Sequence, residues 1–426
     1  MIDIHVLREN PNEVIERLSR RNLAHATKAV ERAVAVDVEK RKILVRLEEM
    51  RAEMNLFTKS IGTLIGQGKK EEADVARNKT TSLKEDIRVS EELLAKVDKD
   101  LTDILLSLPN TPHSSVSFGK GPEENQEIFR NNISNDFPEW MVPHWELTKV
   151  HNLIDFELGV KITGAGFPVY IGKGAKLQRA LISFFLDRAI AAGYTEIMPP
   201  LMINSDSGYG TGQLPDKEGQ MYHATEDDLF LIPTAEVPIT NLYRNVILKE
   251  QDLPVKNCGY TPCFRREAGS YGKDVRGLNR LHQFDKVEIV QITTPENSYD
   301  LLNEMLEHVK GLLDAMELPY RTLLLCGGDM GFASAKTFDL EVFSGAQKKW
   351  LEVSSVSNFE TFQANRMKLR IKDVSGKKTR LAHTLNGSAL ALPRIVAALL
   401  ENNQQLDGSI KIPKVLQPYT GFDKIG

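Results

Sequence analysis

The stretch CFRREAGSYGKDVRGLNRLHQFDKVE, residues 263–288, joins two alternating segments through a glycine-rich basic loop. Alternation is the period of a β-strand, whose neighbouring side chains point to opposite faces. On the outgoing segment Arg265 and Glu267 therefore share a face and Arg266 points away, while Phe284, Lys286 and Glu288 share a face on the return. The loop adds Lys273, Arg276 and Arg280. A guanidinium binds phosphate bidentately, an aromatic ring stacks on a base and a carboxylate accepts from an exocyclic amine, so the set suits a nucleoside triphosphate. A surface hairpin with solvated or internally paired charges explains the stretch equally well when it is taken alone. No GxxxxGK[ST] and no GxGxxG stands between strand and helix, so a phosphate site here must be built from arginines and metal-binding acids.

Working outward, the 426 residues are 41% hydrophobic, enough for one large core or two domains. The formal charge of −4 excludes a general polycation, so any polyanion is met by a local patch. Three cysteines without paired spacing argue against a disulfide framework and for a reducing compartment. The N-terminal MIDIHVLRENPNEVIERL carries charges where a signal peptide needs an apolar run, and no 18-residue apolar stretch occurs; no membrane contact and a cytoplasmic location are expected.

From Val36 a heptad runs through Ile43, Met50, Phe57 and Leu64, with Leu47, Met54 and Ile61 between, which is a coiled-coil seam. It breaks at GQGKK and resumes from Leu83 to Leu108, so two helices of about 35–38 residues form an antiparallel hairpin of about 50–55 Å. Such an arm serves dimerisation or spacing as readily as RNA binding, and its Lys40, Arg41, Arg46 and Arg51 are interleaved with acids. The Pro-, Gly- and Ser-rich residues 108–125 are expected to be a linker. Beyond it a helix over 177–193 and strands at 228–232, 260–267, 281–291, 320–325, 338–343 and 350–354 imply a mostly antiparallel sheet with flanking helices.

Two later segments supply groups that the hairpin lacks. Glu352 and Ser355 are hard oxygen donors suited to Mg²⁺, but a regular strand puts them on opposite faces, so joint coordination requires a bulge or a strand end. Pro393 suits the first residue of a helix, which places Arg394 at a helix N-terminus where phosphate is favoured.

In chain order, LPNTPH, PHWEL, LIDFELG, YGTGQLP, PTAEVPITN, CFRREAGS, LHQFDKVE, TFDLEVF, EVSSVSNFETFQANR and HTLNGSALAL resemble the blocks of class II aminoacyl-tRNA synthetases, in detail those of bacterial-type seryl-tRNA synthetases. The resemblance covers nearly the whole chain. It implies an α+β fold, with a coiled-coil arm in a tRNA-binding domain over 1–110 and an antiparallel-sheet catalytic domain over 111–426. It implies an ATP- and Mg²⁺-dependent ligase, without zinc, that attaches L-serine to tRNA(Ser), and also to tRNA(Sec), through seryl-adenylate. A homodimer formed through residues 193–200 is implied too.

The implied serine set is Thr234, Ala235, Glu236, Arg265, Glu288, Asn386 and Ser388. The implied ATP set is Arg265, Arg266, Glu267, Arg280, Phe284, Glu352, Val353, Ser354, Ser355 and Arg394, with Arg265 and Arg394 catalytic and Glu352 and Ser355 on Mg²⁺. Arg265 would meet the α-phosphate and the serine carboxylate, and Glu267 and Phe284 would meet adenine. Thr234 has a second reading as a helix N-cap. Lys40, Arg41, Arg46 and Arg51 are the implied RNA contacts. The chain departs from the family pattern at Ala389 and Pro393, where glycine is usual, and at Val356 and Phe359, where cysteines are common. A non-catalytic synthetase-like RNA binder would have eroded ATP residues, and a ligase acting on a carrier protein would lack the arm.

Overall fold

In the computed structural model the described residues are 1–23, 25–216, 218–267 and 276–426. Lys273 and most of the basic loop lie outside them. The chain divides into two compact units, one formed by Ile2–Ser19 and Leu23–Pro109, the other by Met1, Arg20–Asn22 and Asn110–Gly426.

In the first unit, short helices α1 (Ile4–Glu9) and α2 (Pro11–Ser19) precede two long ones, α3 (Ala26–Gly66, 41 residues) and α4 (Lys70–Ser107, 38 residues). At 1.5 Å per residue these span about 57–61 Å, slightly more than the heptads suggested. Gly68, at φ +76, makes the turn between them. Leu47, Met50 and Ile87 form the buried seam, with Ile43, Met54, Leu83 and Leu94 against it.

The seam departs from the heptad at the base of the arm. There the buried positions of α3 are Val30, Ala33 and Asp37, while Val36 is only half-buried. Asp37 is tolerated because both its oxygens are paired, with Arg8 of α1 at 2.9 Å and with Arg41 at 3.0 Å. Burial pushes its pKa up, but the two guanidiniums outweigh that and hold it below its ordinary value.

The second unit is built on an eight-stranded sheet: β1 (Gln126–Arg130), β2 (Thr195–Glu196), β3 (Val255–Phe264), β4 (Gln283–Thr293), β5 (Tyr320–Leu324), β6 (Lys336–Ser344), β7 (Lys349–Asn358) and β8 (His383–Ala391). Their spatial order is β1-β5-β6-β7-β8-β4-β3-β2, and every pairing is antiparallel except β2 with β3. The segment read as a strand at 228–232 pairs instead in a separate three-stranded sheet.

Helices α6 (Lys173–Ala191), α8 (Ser298–Ala315) and α10 (Leu392–Asn402) share one hydrophobic core with the sheet, which holds Phe184, Phe185, Met305, Val309 and Ile395. Val287 and Ile289 of β4 point into this core. By alternation Lys286, Glu288 and Val290 point to the other face, where Val290 meets Ala235 and Ile239. Three shorter helices carry residues used below: α5 (His144–Val150), α7 (Glu236–Asn241) and α9 (Phe362–Met367).

The expected linker is ordered rather than free. Asn110 donates to the carbonyls of Ala333 and Phe359 at 3.0 and 2.8 Å, and Val116 is buried with Leu323, Leu325 and Met330. Its prolines serve as rigid packed segments, because the backbone groups around them find partners within the unit.

Asp37 yields the first test. Its folded pKa is depressed, so its contribution is complete above the ordinary value of 3.8 and is lost as pH falls through the lower folded value. Asp37→Ala should lower the melting midpoint of the helical unit by roughly 5 °C at neutral pH, followed by circular dichroism, and the difference from wild type should shrink in strong acid.

Candidate active site

The hairpin β3–β4 carries the centre of the site. Its register pairs Phe284 with Cys263, Lys286 with Thr261 and Glu288 with Gly259. The outgoing strand ends at Phe264, so strand alternation does not orient Arg265 to Glu267. Two main-chain bonds do so instead: Arg265 N–H to the His282 carbonyl and Arg266 N–H to the Gln220 carbonyl, each 2.9 Å. Glu267 then turns the chain at φ +49. The outcome still separates the arginines, with Arg265 half-buried and Arg266 exposed.

The Arg265 guanidinium lies 5.3 Å from the centroid of the Phe284 ring, and its Nε donates to the Pro233 carbonyl at 3.3 Å. Glu267 accepts from Arg280 at 3.1 Å. One cation thus stacks on the ring proposed for adenine, and a second is tethered beside it.

Behind Arg265 lies a buried polar pocket. Lys286 Nζ sits 2.6 Å from Glu288 Oε2 and donates to Thr234 Oγ1 at 2.7 Å. The hydroxyls of Thr234 and Ser388 face the same Glu288 oxygen at 3.4 and 3.5 Å. Thr234 Oγ1 also accepts the Glu236 N–H at 3.3 Å from just outside α7, but the cap of that helix is Ala235 and not Thr234 as the N-cap reading has it. Ala235 itself is wholly buried against Ile239 and Val290. Glu236 accepts from Gln363 of α9 at 2.6 Å, and Gln363 is held by the Thr384 hydroxyl at 2.7 Å. Asn386 is buried nearby, where its amide favours the ionised form of Glu236.

Burial, then the neighbouring Glu288, pushes Glu236 up to about 7, despite Gln363 and Lys286. Lys286 and Gln363 were missed as site residues. Lys286 was legible, since it shares the face of Phe284 and Glu288 by alternation; Gln363 lies on a six-residue helix with too little periodicity to read.

The bulge required for Glu352 and Ser355 is present. Leu340 pairs with Ser354 but Glu341 pairs with Glu352, so Val353 is the extra residue, buried in the core. Ser355 Oγ consequently reaches Glu352 Oε1 at 3.4 Å. Ser354 turns the other way and donates to the Ser388 carbonyl at 2.6 Å. Opposite Ser355, Asp339 has a buried oxygen without a partner, and burial together with Glu352 raises its pKa well above the ordinary value. Crowded, underpaired hard oxygens are what a divalent cation would satisfy. Among the described residues no three His, Cys, Asp or Glu converge as a complete cage.

Arg394 is the third residue of α10 and so lies in its first turn, one residue further in than expected because the helix opens at Leu392 and Pro393 is its second residue. Its Nε donates to the Asn279 carbonyl at 3.1 Å and its Nη1 to the Glu352 carbonyl at 2.8 Å. The chain's departures at Ala389, Pro393, Val356 and Phe359 are all buried, and Val356 and Ala389 pack in the helix-covered core.

On the arm, Lys40 is paired with Asp98, Arg41 with Asp37 and Arg51 with Glu91. Among the described residues Arg46 has no such partner; with Val38, Arg41, Lys42, Val45 and Glu49 it lines a shallow depression on α3.

Residues 220–403 match the model of the tRNA synthetase class II core domain (G, H, P, S and T), and residues 1–112 match that of the seryl-tRNA synthetase N-terminal domain. The sheet and its site are those of a class II aminoacyl-tRNA synthetase. The chain is 50% identical over 426 residues to a serine–tRNA ligase of Salinibacter ruber, covering 100% of this chain and 99% of that one. It is 46% identical over 433 residues to one of Chlorobaculum parvum, covering 100% of each. Among solved structures it resembles a seryl-tRNA synthetase from Pyrococcus horikoshii complexed with ATP, with a TM-score of 0.94, 34% identity and coverage of 100% and 99%. It also resembles a cytoplasmic serine–tRNA ligase from Naegleria fowleri in complex with AMP, with a TM-score of 0.88, 25% identity and coverage of 100% and 98%. The chain belongs to the serine–tRNA ligase family and joins serine to tRNA.

Glu236 gives a stability test. Its folded pKa is raised, so its contribution is complete below the ordinary 4.5 and is lost as pH rises through about 7. Glu236→Gln should therefore gain on wild type by roughly 2 kcal/mol between pH 5 and pH 8.5, measured as the difference in denaturant unfolding free energy.

Proposed function

We propose that the chain activates L-serine as seryl-adenylate before transferring it to tRNA. The serine carboxylate attacks the α-phosphorus of ATP, the bond to the β-phosphate oxygen breaks and pyrophosphate leaves. The 3′-terminal ribose hydroxyl of tRNA then attacks the seryl carbonyl, and AMP departs. The observation that carries this is that Arg265, stacked on Phe284, bonds to the carbonyl of Pro233, the residue before Thr234, whose hydroxyl shares Glu288 with that of Ser388.

On this reading Arg265 draws the two reacting anions together, the carboxylates of Glu236 and Glu288 receive the serine ammonium and hydroxyl, and Asn386 lines the same pocket. Arg280 and Arg394 hold the outer phosphates. Glu352 and Ser355 would hold Mg²⁺, which supplies neutralisation of the phosphate charge. No side-chain nucleophile is required, because positioning and preorganised charge lower the barrier.

Residues 1–110 act as the tRNA-binding domain and 111–426 as the catalytic one. Serine tRNA is the substrate and the selenocysteine tRNA a second one, in the cytoplasm. The active form is a homodimer: β2 closes the sheet with only two residues, and Met198 beside it is 89% exposed, an edge suited to a second copy. Among the described residues no helix is long and apolar enough to cross a membrane.

Arg265→Ala should reduce serine-dependent ATP–pyrophosphate exchange by roughly 100-fold or more, and Arg266→Ala by at least ten times less. Equal losses would sink the assignment of Arg265. Deleting residues 30–106 should spare pyrophosphate exchange and abolish charging of tRNA. Loss of both reactions together would count against an RNA-specific arm.

A further inference from the structure

Beside the site lies a buried polar cluster to which no role is yet attached. His144 opens α5 and Glu401 lies near the end of α10, and both side chains are 0% exposed. Glu401 Oε1 accepts from the His144 N–H at 3.0 Å, from His144 Nδ1 at 2.7 Å and from Gln347 Nε2 at 2.9 Å. Its Oε2 accepts the Ser344 hydroxyl. Burial alone raises the pKa of this carboxyl, but the hydrogen bonds from His144 and Ser344 outweigh it and hold the group below its ordinary value.

The far nitrogen of the ring, Nε2, faces the main-chain N–H of Leu278 at 2.9 Å. An N–H only donates, so Nε2 bears the lone pair and the ring proton sits on Nδ1, directed at Glu401. The imidazole is a neutral bridge with both nitrogens committed, not half of an ion pair.

Leu278 belongs to the return stem of the arginine loop. Gly277 before it has φ +65, and a Cβ there would stand 2.2 Å from His144 Nε2, so glycine alone permits the approach. Asn279 after it donates to Gln347 at 3.0 Å and gives its carbonyl to Arg394 at 3.1 Å. A closed ring results: His144 to Glu401, to Gln347, to Asn279, to Leu278 and back. Arg394 and Glu401 stand two turns apart on one face of α10. That helix therefore grips the stem twice, once directly and once through His144, and Arg280 follows immediately in the chain.

We propose that His144 is a positioning residue for the nucleotide phosphates. Its ring sets where the 277–280 stem rests on α10, and so where the guanidiniums of Arg280 and Arg394 stand relative to each other. It touches no reacting atom, and the serine pocket hangs from other elements. This role rests on the adenylate-forming reaction proposed above.

The two ring nitrogens can be separated by substitution. His144→Asn keeps a donor near Nδ1 for Glu401 but offers Leu278 no acceptor; His144→Gln places an acceptor near Nε2. For His144→Asn, ATP binding by calorimetry and KM for ATP in serine-dependent exchange should weaken about tenfold, while KM for serine stays within about twofold. The Leu278 amide should lose protection from hydrogen exchange. His144→Gln should restore most of both. Unchanged ATP affinity in a folded His144→Asn whose Leu278 amide is deprotected overturns the role, and so does an equal rise in both KM values.

If neither variant folds, Gly277→Ala displaces the stem with His144 intact. It must give the same ATP-selective loss, and native ATP affinity there overturns the role. Wild-type protein without serine-dependent exchange would instead overturn the proposed reaction, leaving calorimetry and amide exchange to decide the part played by His144.

Discussion

Lys286 and Glu288 are held 2.6 Å apart with almost no exposure to water. Removing two charges from solvent costs several kcal/mol each unless attraction and further hydrogen bonds offset it. The offset here is geometric. Both residues stand on one face of β4, hydroxyls from Thr234 and Ser388 reach the pair from two other elements, and β4 pairs regularly with β3 while its pairing with β8 shifts between Lys286 and Glu288 to set Glu288 opposite Ser388. A slip of one residue would turn the pair into the apolar core occupied by Val287 and Ile289. The helix-covered core on the opposite side supplies the burial that makes such a polar pocket tolerable.

That division of labour between the two sheet faces explains how small groups are held accurately without a loop motif for phosphate. Arg265 is oriented by two carbonyls and an aromatic ring, Glu352 and Ser355 by one inserted residue, and Arg394 by the carbonyls of Asn279 and Glu352. Each cation is anchored by main-chain oxygens rather than by acids alone, which leaves its charge available to an anionic ligand. The arm follows a different economy. Three of the four cations read as RNA contacts, Lys40, Arg41 and Arg51, are already engaged with carboxylates, and exposed pairs of this kind contribute little stability. A phosphate there competes with intramolecular partners at those three positions.

Most of the catalytic strands were legible because one face is apolar and the other polar, as in β6, where Phe338, Leu340 and Val342 alternate with Asp339 and Glu341. The strand β8 was not, since eight of its nine residues are buried and alternation disappears when both faces are covered. The buried Asp37 at the base of the arm was not legible, because it is tolerated only through Arg41 and through Arg8, which arrives from a helix far away in sequence. Arg265 and Arg266 were separated correctly by an alternation rule that does not hold past Phe264, and the true cause is a pair of loop hydrogen bonds. The bulge at Val353 was demanded by chemistry before it was seen, whereas His144 carries no periodic signal and acquires meaning only from its three-dimensional partners.

The central claim is that the pocket around Lys286 and Glu288 selects serine for activation by ATP. Its most direct measurement is ATP–pyrophosphate exchange by the wild-type protein with serine, threonine and alanine compared at equal concentration. Rapid exchange with serine and little with the other two is expected, because a site built to pair a small hydroxyl penalises both its absence and an added methyl. Equal exchange with threonine or alanine, or none with serine, would contradict it.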